Sequence, residues 1–249
     1  MPDFSPLAWA LILASTYITG ISKGGFAGGF GSLSVPLMAL AIGPLQAAGL
    51  LLPLLIVMDL LSLRAWWGQH DAGEVKRLGP AAAGGIVIGT LTVGSLDENK
   101  VRLMLGVISL AFAAYMLFKP TVHRRPGRLW AAVCGGAAGF TSTLAHAGGP
   151  PMNLYLLPRQ LPKATFIATS VVAFAFINAL KIGPFIWLGE LTLHSLGTSA
   201  LLIPVAWFGV RSGIWLQARV NEKAFFRLII VCMALIGVQL IWRGLHGQT

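Results

Sequence analysis

Apolar stretches of roughly 18 to 20 residues recur between residues 7 and 242, each long enough at ~1.5 Å per residue to cross a ~30 Å hydrocarbon layer. No other feature constrains the chain as strongly. Backbone placed in lipid must satisfy its own hydrogen bonds, and helices do so within one segment. The composition agrees: 56% of the 249 residues are hydrophobic and 10% are charged, against about a quarter charged in an ordinary soluble domain. The fold class expected is therefore all-α, a polytopic integral membrane protein. The opening Met-Pro-Asp-Phe-Ser-Pro carries no basic run of the kind found in a cleavable leader. The first apolar stretch is expected to remain in the mature protein.

Glycine, proline and charge divide the chain into ten segments, at about 7–22, 27–42, 45–63, 78–96, 101–118, 129–145, 150–157, 164–188, 193–216 and 224–242. The first two and the sixth and seventh are short, and a glycine-rich break splits each of these pairs. The second half echoes the first. Pro44-Leu45-Gln46 matches Pro162-Lys163-Ala164, Asp59 and Ser62 fall opposite Asn178 and Lys181, and Gly89 and Leu96 precede Gly209 and Leu216 by 120 residues. Faint duplication of this kind is common in transporters. The division expected is a first transmembrane repeat over 1–119, a basic cytoplasmic linker over 120–128 and a second repeat over 129–249.

Positive charge chooses between two topologies, because loops rich in Lys and Arg stay in the cytoplasm. Suppose each broken pair is a hairpin followed by three transmembrane helices. Each half then crosses an odd net number of times, and the halves are inverted. One face collects Arg64, Lys76, Arg77, Lys119, Arg124, Arg125, Arg128, Arg159, Lys163, Arg211, Arg219, Lys223 and Arg227, while the other holds Lys100, Arg102 and Arg243. A single crossing per broken pair would split the same residues evenly, which the charge rule disfavours. Two inverted repeats are therefore expected, with both termini on the non-cytoplasmic side of a bacterial inner membrane. The formal charge of +10 fits anionic headgroups rather than nucleic acid, since the basic residues are scattered singly over short loops. Cys134 and Cys232 lie in apolar segments without metal-ligand spacing and read as packing residues. Neither a cofactor nor a metal is expected, and Trp66, Trp67, Trp130, Trp187 and Trp242 sit near segment ends as interface anchors do.

The two breaks carry the chemistry. Six glycines fall between residues 20 and 31, too many for a continuous stable helix. Irregular backbone at membrane depth is tolerated beside protein or a wet cavity. There its free N–H groups and the positive end of the next helix make an anion site. Gly24 and Gly25 would supply backbone, Ser22, Ser32 and Ser34 hydroxyls, and Lys23 a cation. Two bland readings compete: the glycines serve only close helix packing, and Lys23 snorkels to an interface. The second break runs from Gly139 through Thr141, Ser142, Thr143, His146, Gly148, Gly149, Pro150 and Pro151 to Asn153. Its Gly-Gly-Pro-Pro reads as a helix restart, since early prolines need no intrahelical N–H. His146 either donates to an oxyanion, titrates and couples transport to protons, or rests neutral on a carbonyl. Asp59, Asn178 and Lys181 are polar residues inside long apolar helices, where such groups face the bundle interior or a water path. An Asp59–Lys181 pair across the two halves is expected to close the pathway until substrate competes for the lysine.

At these breaks the chain resembles the sulfite exporter TauE/SafE family of membrane permeases. The likeness is carried by Lys23-Gly24-Gly25 through Gly31 and Pro36, by Gly139 to Pro151, and by the run from Leu154 to Lys163, with Asn178 and Lys181 beyond. It implies a two-repeat transporter moving sulfite or related organosulfur anions, outward. The expected mechanism is alternating access around a midplane site. Its candidate binding residues are Ser22, Lys23, Gly24, Gly25, Ser32, Ser142, His146, Gly148, Gly149 and Asn153, with Asp59, Asn178 and Lys181 along the path. The partners expected are a small anion and membrane lipids, with proton coupling and a homo-oligomer left open. An anion channel, or a permease for another oxyanion or carboxylate, is the alternative. A membrane-embedded enzyme is disfavoured, because no nucleophile–base pair or metal cluster stands at recognisable spacing. A purely structural subunit leaves the duplicated breaks without a purpose.

Overall fold

Glycine content and apolar run length produce ten α-helices in the computed structural model, which describes residues 4–26, 31–118, 126–216 and 222–247. They are α1 (Pro6–Gly25), α2 (Ser34–Met38), α3 (Pro44–Trp66), α4 (Ala72–Gly94), α5 (Glu98–Phe118), α6 (Arg128–Ala145), α7 (Gly149–Leu156), α8 (Lys163–Trp187), α9 (Leu193–Leu216) and α10 (Glu222–His246). No strand occurs among the described residues. Lys119, Arg124, Arg125, Arg219, most of the basic linker and the glycines at 28 and 29 lie outside them, as does the side chain of Lys223. Among the described residues α3, α5, α8 and α9 are long and apolar enough to cross a membrane. Large apolar side chains face outward along the helices: Val87, Ile88 and Leu91 on α4, Leu201, Trp207 and Phe208 on α9, and Leu235 and Val238 on α10. An apolar exterior of that extent needs lipid as its solvent.

The first two segments and the fourth differ from their sequence boundaries, α4 starting at Ala72, while the seventh keeps its expected length. α1 extends to Gly25 and, at 20 residues, reaches about 30 Å. Its partner shrinks to one 3₁₀ turn (Gly31–Leu33) and the five residues of α2. α7 is likewise only eight residues long. Each break thus joins a long helix to a stub.

The helices pair by exchange between the halves. The most extensive contacts are α4 with α6, α1 with α9, and α5 with α10, while α3 and α8 meet at the centre. Glycines set the first two. A Cβ on Gly85 would lie 2.0 Å from Gly136 O, and one on Gly139 would lie 2.0 Å from Ala82 O. Across the other pair, a Cβ on Gly24 would lie 2.2 Å from Val210 O and one on Gly213 would lie 2.3 Å from Ile21 O. Backbones this close exclude any side chain, which is the packing use of small residues in membranes. The packing also corrects the repeat register. Gly85 meets Gly136 as Gly209 meets Tyr17, and Gly89 meets Phe140 as Gly213 meets Ile21. Gly85, not Gly89, is therefore the structural counterpart of Gly209. The pattern Leu78-x-Pro80-x₄-Gly85-x₃-Gly89 returns as Leu202-x-Pro204-x₄-Gly209-x₃-Gly213, one helical turn away from the register that simple spacing suggests.

Contact order along the paired helices fixes their directions. Along α5, Asn99, Gly106 and Leu110 meet Gly244, Gly237–Ile241 and Gly237 of α10 in descending order, so the two run antiparallel. Gly49 lies on Glu190, Asp59 on Asn178, and Asp71 on Thr169, so α3 and α8 are also antiparallel. α4 runs parallel to α6 and α1 to α9. α3 and α8 thus point in opposite directions, as do α5 and α10. Two ends result. Arg64, Lys76, Arg77, Arg128, Arg159 and Lys163 gather at one, where buried Glu74 accepts from Tyr155 Oη (2.6 Å), Arg77 (2.9 Å) and Arg159. Glu98, Lys100, Arg102 and Arg243 lie at the other, where Arg243 donates to Leu40 O at 2.7 Å.

Candidate anion site between the broken helices

α1 and α6 each bring the last turn before a break to the centre of the molecule, against α3 and α8. Between them lies a small, partly open cavity walled by Thr19, Ser22, Lys23, Ser142, His146 and Asn178 with the apolar Leu51, Leu55 and Phe174. Gly31 and Ser34 close the side formed by the first break.

Lys23 is buried and does not snorkel. Its Nζ lies 2.5 Å from Asp59 Oδ1 and 4.9 Å from the centre of the Phe174 ring. The second carboxylate oxygen, Asp59 Oδ2, accepts from Asn178 Nδ2 at 2.6 Å. The expected Asp59–Lys181 pair is therefore not formed. Asp59 sits opposite Asn178 in the antiparallel α3–α8 contact, and Lys181, three residues further along α8, points to α6. It is Lys23 from α1 that neutralises Asp59.

Lys181 is fully buried, and its ammonium spends three donors on neutral acceptors: Ser142 O and Oγ, both at 3.0 Å, and His146 Nδ1 at 2.6 Å. His146 Nε2 lies 2.8 Å from Ala48 O. A carbonyl can only accept, so Nε2 carries the hydrogen and Nδ1 offers its lone pair to Lys181. His146 is thus held as a neutral imidazole, stacked 6.0 Å from the Phe185 ring. The local fold forces this placement. His146 ends α6 in the left-handed region (φ 49°), with its N–H on Ser142 O and Ala147 N–H on Thr141 O. A non-glycine residue there costs roughly 1 to 2 kcal/mol, and the site is where that strain is offset. With Lys23 and Lys181 protonated, Asp59 ionised and His146 neutral, the cluster carries one positive charge more than negative. Lys181 itself has no carboxylate partner among the described residues.

The remaining candidates take other places. Gly24 is pressed against Val210, so it serves helix packing, and Gly25 closes α1. Phe26 N–H is spent on Ser22 O. In the second break Pro150 and Pro151 have no N–H, and Met152 N–H bonds Gly148 O. The Phe26 and Met152 donors are thus committed, and among the described residues side chains supply the polar wall. Gly148 fits against Ala138, Phe174 and Ser142, and Gly149 begins α7. Ser32 faces Met233 on α10, with Oγ 3.8 Å from Sδ. Asn153 Oδ1 is buried without a hydrogen-bond partner, away from the cavity wall. Thr141 and Thr143 return their hydroxyls to their own helix at Ala137 O and Gly139 O. Sequence reasoning missed Thr19 and Phe174. Each precedes a recognised polar residue by one helical turn, Thr19 before Lys23 and Phe174 before Asn178, so i, i+4 spacing was the available signal. Among the described residues no group of three His, Cys, Asp or Glu could hold a metal.

Residues 12–240 match the family model described as "Sulfite exporter TauE/SafE". No curated protein and no solved structure matches the chain. The matched region contains both breaks and every polar residue of the cavity wall. This multi-pass membrane protein belongs to the sulfite exporter TauE/SafE family.

Proposed function

We propose that the chain is a secondary transporter exporting sulfite or an organosulfonate by alternating access around the cavity between its two broken helices. The observation that carries this reading is the charge of the site: two buried lysines against one carboxylate, the second lysine having only neutral partners. A buried unbalanced cation is costly, and a small oxyanion supplies the missing charge. Lys23, Ser22, Ser142 and Asn178 border the cavity and offer the oxyanion its donors. Lys181 stands one layer behind, where Ser142 and His146 orient it and its field reaches the cavity through low-dielectric surroundings. The antiparallel α3–α8 and α5–α10 contacts support two inverted repeats over 1–119 and 129–249, the design that places a substrate site at the midplane in other transporters. The arginine-rich Glu74 end is then cytoplasmic and both termini lie outside the cytoplasm, in a bacterial inner membrane. An inside-negative potential drives a bound anion outward at ~2.3 kcal/mol per charge per 100 mV.

The test is binding of sulfite, sulfate, sulfoacetate, thiosulfate and acetate to purified protein, wild type beside Lys23→Met/Asp59→Asn. Removing both charges together leaves neither member of the Lys23–Asp59 pair as a buried ion without its partner. Selective binding of sulfur oxyanions that the double variant loses is the expected result. Equal binding by both proteins would remove Lys23 from the site, and absence of any sulfur anion would remove the cargo. Counterflow in proteoliposomes separates a carrier from a channel.

A further inference from the structure

We propose that Asp59 is a proton carrier, taking up one proton each time a dianion displaces it from Lys23. The inference deepens the proposed function and rests on it. Asp59 has two oxygens and two partners, Lys23 on Oδ1 and Asn178 on Oδ2, and its side chain is nearly fully buried. Lys23 and Asn178 also line the cavity, whereas Asp59 lies behind them. An anion entering the cavity therefore meets the same ammonium that neutralises Asp59. Other charged groups do not replace it. Lys181 on α8 is committed to Ser142 and His146, His146 at the end of α6 is neutral, and α2 contributes only Ser34 to the cavity. Neither α5 nor α9 places a titratable side chain there.

A carboxylate left in a dry interior without its cation is costly, and protonation is how such a group is relieved. The step balances as follows. The dianion takes the Lys23 ammonium as its counter-ion, Asp59 gains a proton from water, and Asn178 remains beside the neutral carboxyl. Charge bookkeeping gives the step its use. With Asp59 ionised the cluster has a net charge of one positive and matches a monoanion. With Asp59 protonated it has two and matches a dianion. A hydrogen-sulfite-like monoanion and a sulfite-like dianion then cross as complexes of equal net charge, so one site serves an anion that changes protonation near neutral pH.

The experiment is titration calorimetry of sulfate into detergent-purified protein, in two buffers of different ionisation enthalpy, for wild type and Asp59→Asn; sulfite is run in parallel. Sulfate stays a dianion throughout, so proton uptake reports the protein. Wild type should take up close to one proton per sulfate, and its affinity should fall about tenfold per pH unit as pH rises, the slope for one linked proton. Asp59→Asn should take up none and bind with little pH dependence. Because that variant leaves Lys23 without a partner and could fail to fold, infrared difference spectra of the wild type provide a second readout. Saturation with sulfate or sulfite should produce the C=O stretch of a protonated carboxyl. Binding without proton uptake, or without that band, overturns the proton carrier while leaving the anion site standing. Absence of binding by either anion overturns both.

Discussion

The two broken pairs share a frame and differ in where they put charge. α1 and α6 both end at the centre, both pack a glycine face on a helix of the other half, and both continue into a helical stub. In the first half the lysine is on the broken helix, Lys23, and its partner is a carboxylate on α3. In the second half the lysine is on the long helix α8, and its partners are a hydroxyl, a carbonyl and an imidazole from the broken helix. α1 also turns Ser15, Thr16, Thr19 and Ser22 to the interior, where α6 presents Cys134, Gly135, Ala138 and Thr141 in the matching positions. The difference teaches that the two halves use one kind of packing frame and place different charges on it. An exchangeable ion pair ended up on one side and a fixed cation on the other.

The sharpest way to break that comparison is Lys23→Met against Lys181→Met. Lys23→Met strands Asp59 and should cost about 3 to 5 kcal/mol of stability, read as thermal unfolding in detergent. Adding Asp59→Asn should restore most of the loss. Equal stability of Lys23→Met and wild type would mean that the pair is not held in the resting protein.

Next come the glycines, where the halves should behave alike. Gly139→Ala and Gly24→Ala each force a methyl onto a carbonyl of the facing helix, at 2.0 and 2.2 Å from Ala82 O and Val210 O. Each should lose about 1 to 3 kcal/mol, the usual cost of overpacking. Tolerance of one and not the other would show that the matched contacts are not energetically equivalent.

Lys181→Met leaves only neutral groups behind and relieves the burial of an ammonium. Its stability should change by less than about 2 kcal/mol. Sulfite binding should nevertheless weaken about tenfold, an energy of ~1.4 kcal/mol, through loss of the field behind Ser142 and His146. Unchanged affinity would confine the electrostatics to the Lys23 side.

The smallest effect is expected at Glu190, in the loop between α8 and α9. Burial, and then the nearby Glu98, raise its carboxyl above the ordinary range. A carboxyl raised in the folded state favours folding in its protonated form, and that contribution is lost as pH rises through the folded value. Glu190→Gln should therefore raise the melting temperature slightly at neutral pH and leave it unchanged in acid. A lower melting temperature at neutral pH would show the charged carboxylate to be stabilising.

Much of the frame is legible in the sequence. Apolar length gives helices, glycine density marks the two breaks, and a lone lysine or aspartate within an apolar helix marks the interior, because each is a local cost that lipid or water would impose on any fold. The resemblance at the breaks pointed to the same family. Register was less legible: spacing aligned Gly89 with Gly209, although Pro80 with Gly85 and Gly89 repeats as Pro204 with Gly209 and Gly213. A four-residue slip is one helical turn and leaves the same face inward, so hydropathy is almost blind to it.

What the sequence determined alone is therefore the class of solvent, the number of helices and the presence of buried charge. Which charge meets which was decided by tertiary structure. Asp59 and Lys181 were equally available on paper, but the antiparallel meeting of α3 and α8 puts Asn178 opposite Asp59 and turns Lys181 toward α6. α1, whose glycines seat it on α9, carries the Lys23 that meets Asp59. Pairing depends on angstrom-scale approach between segments far apart in the chain, and helical periodicity records only which face turns inward, not what waits there.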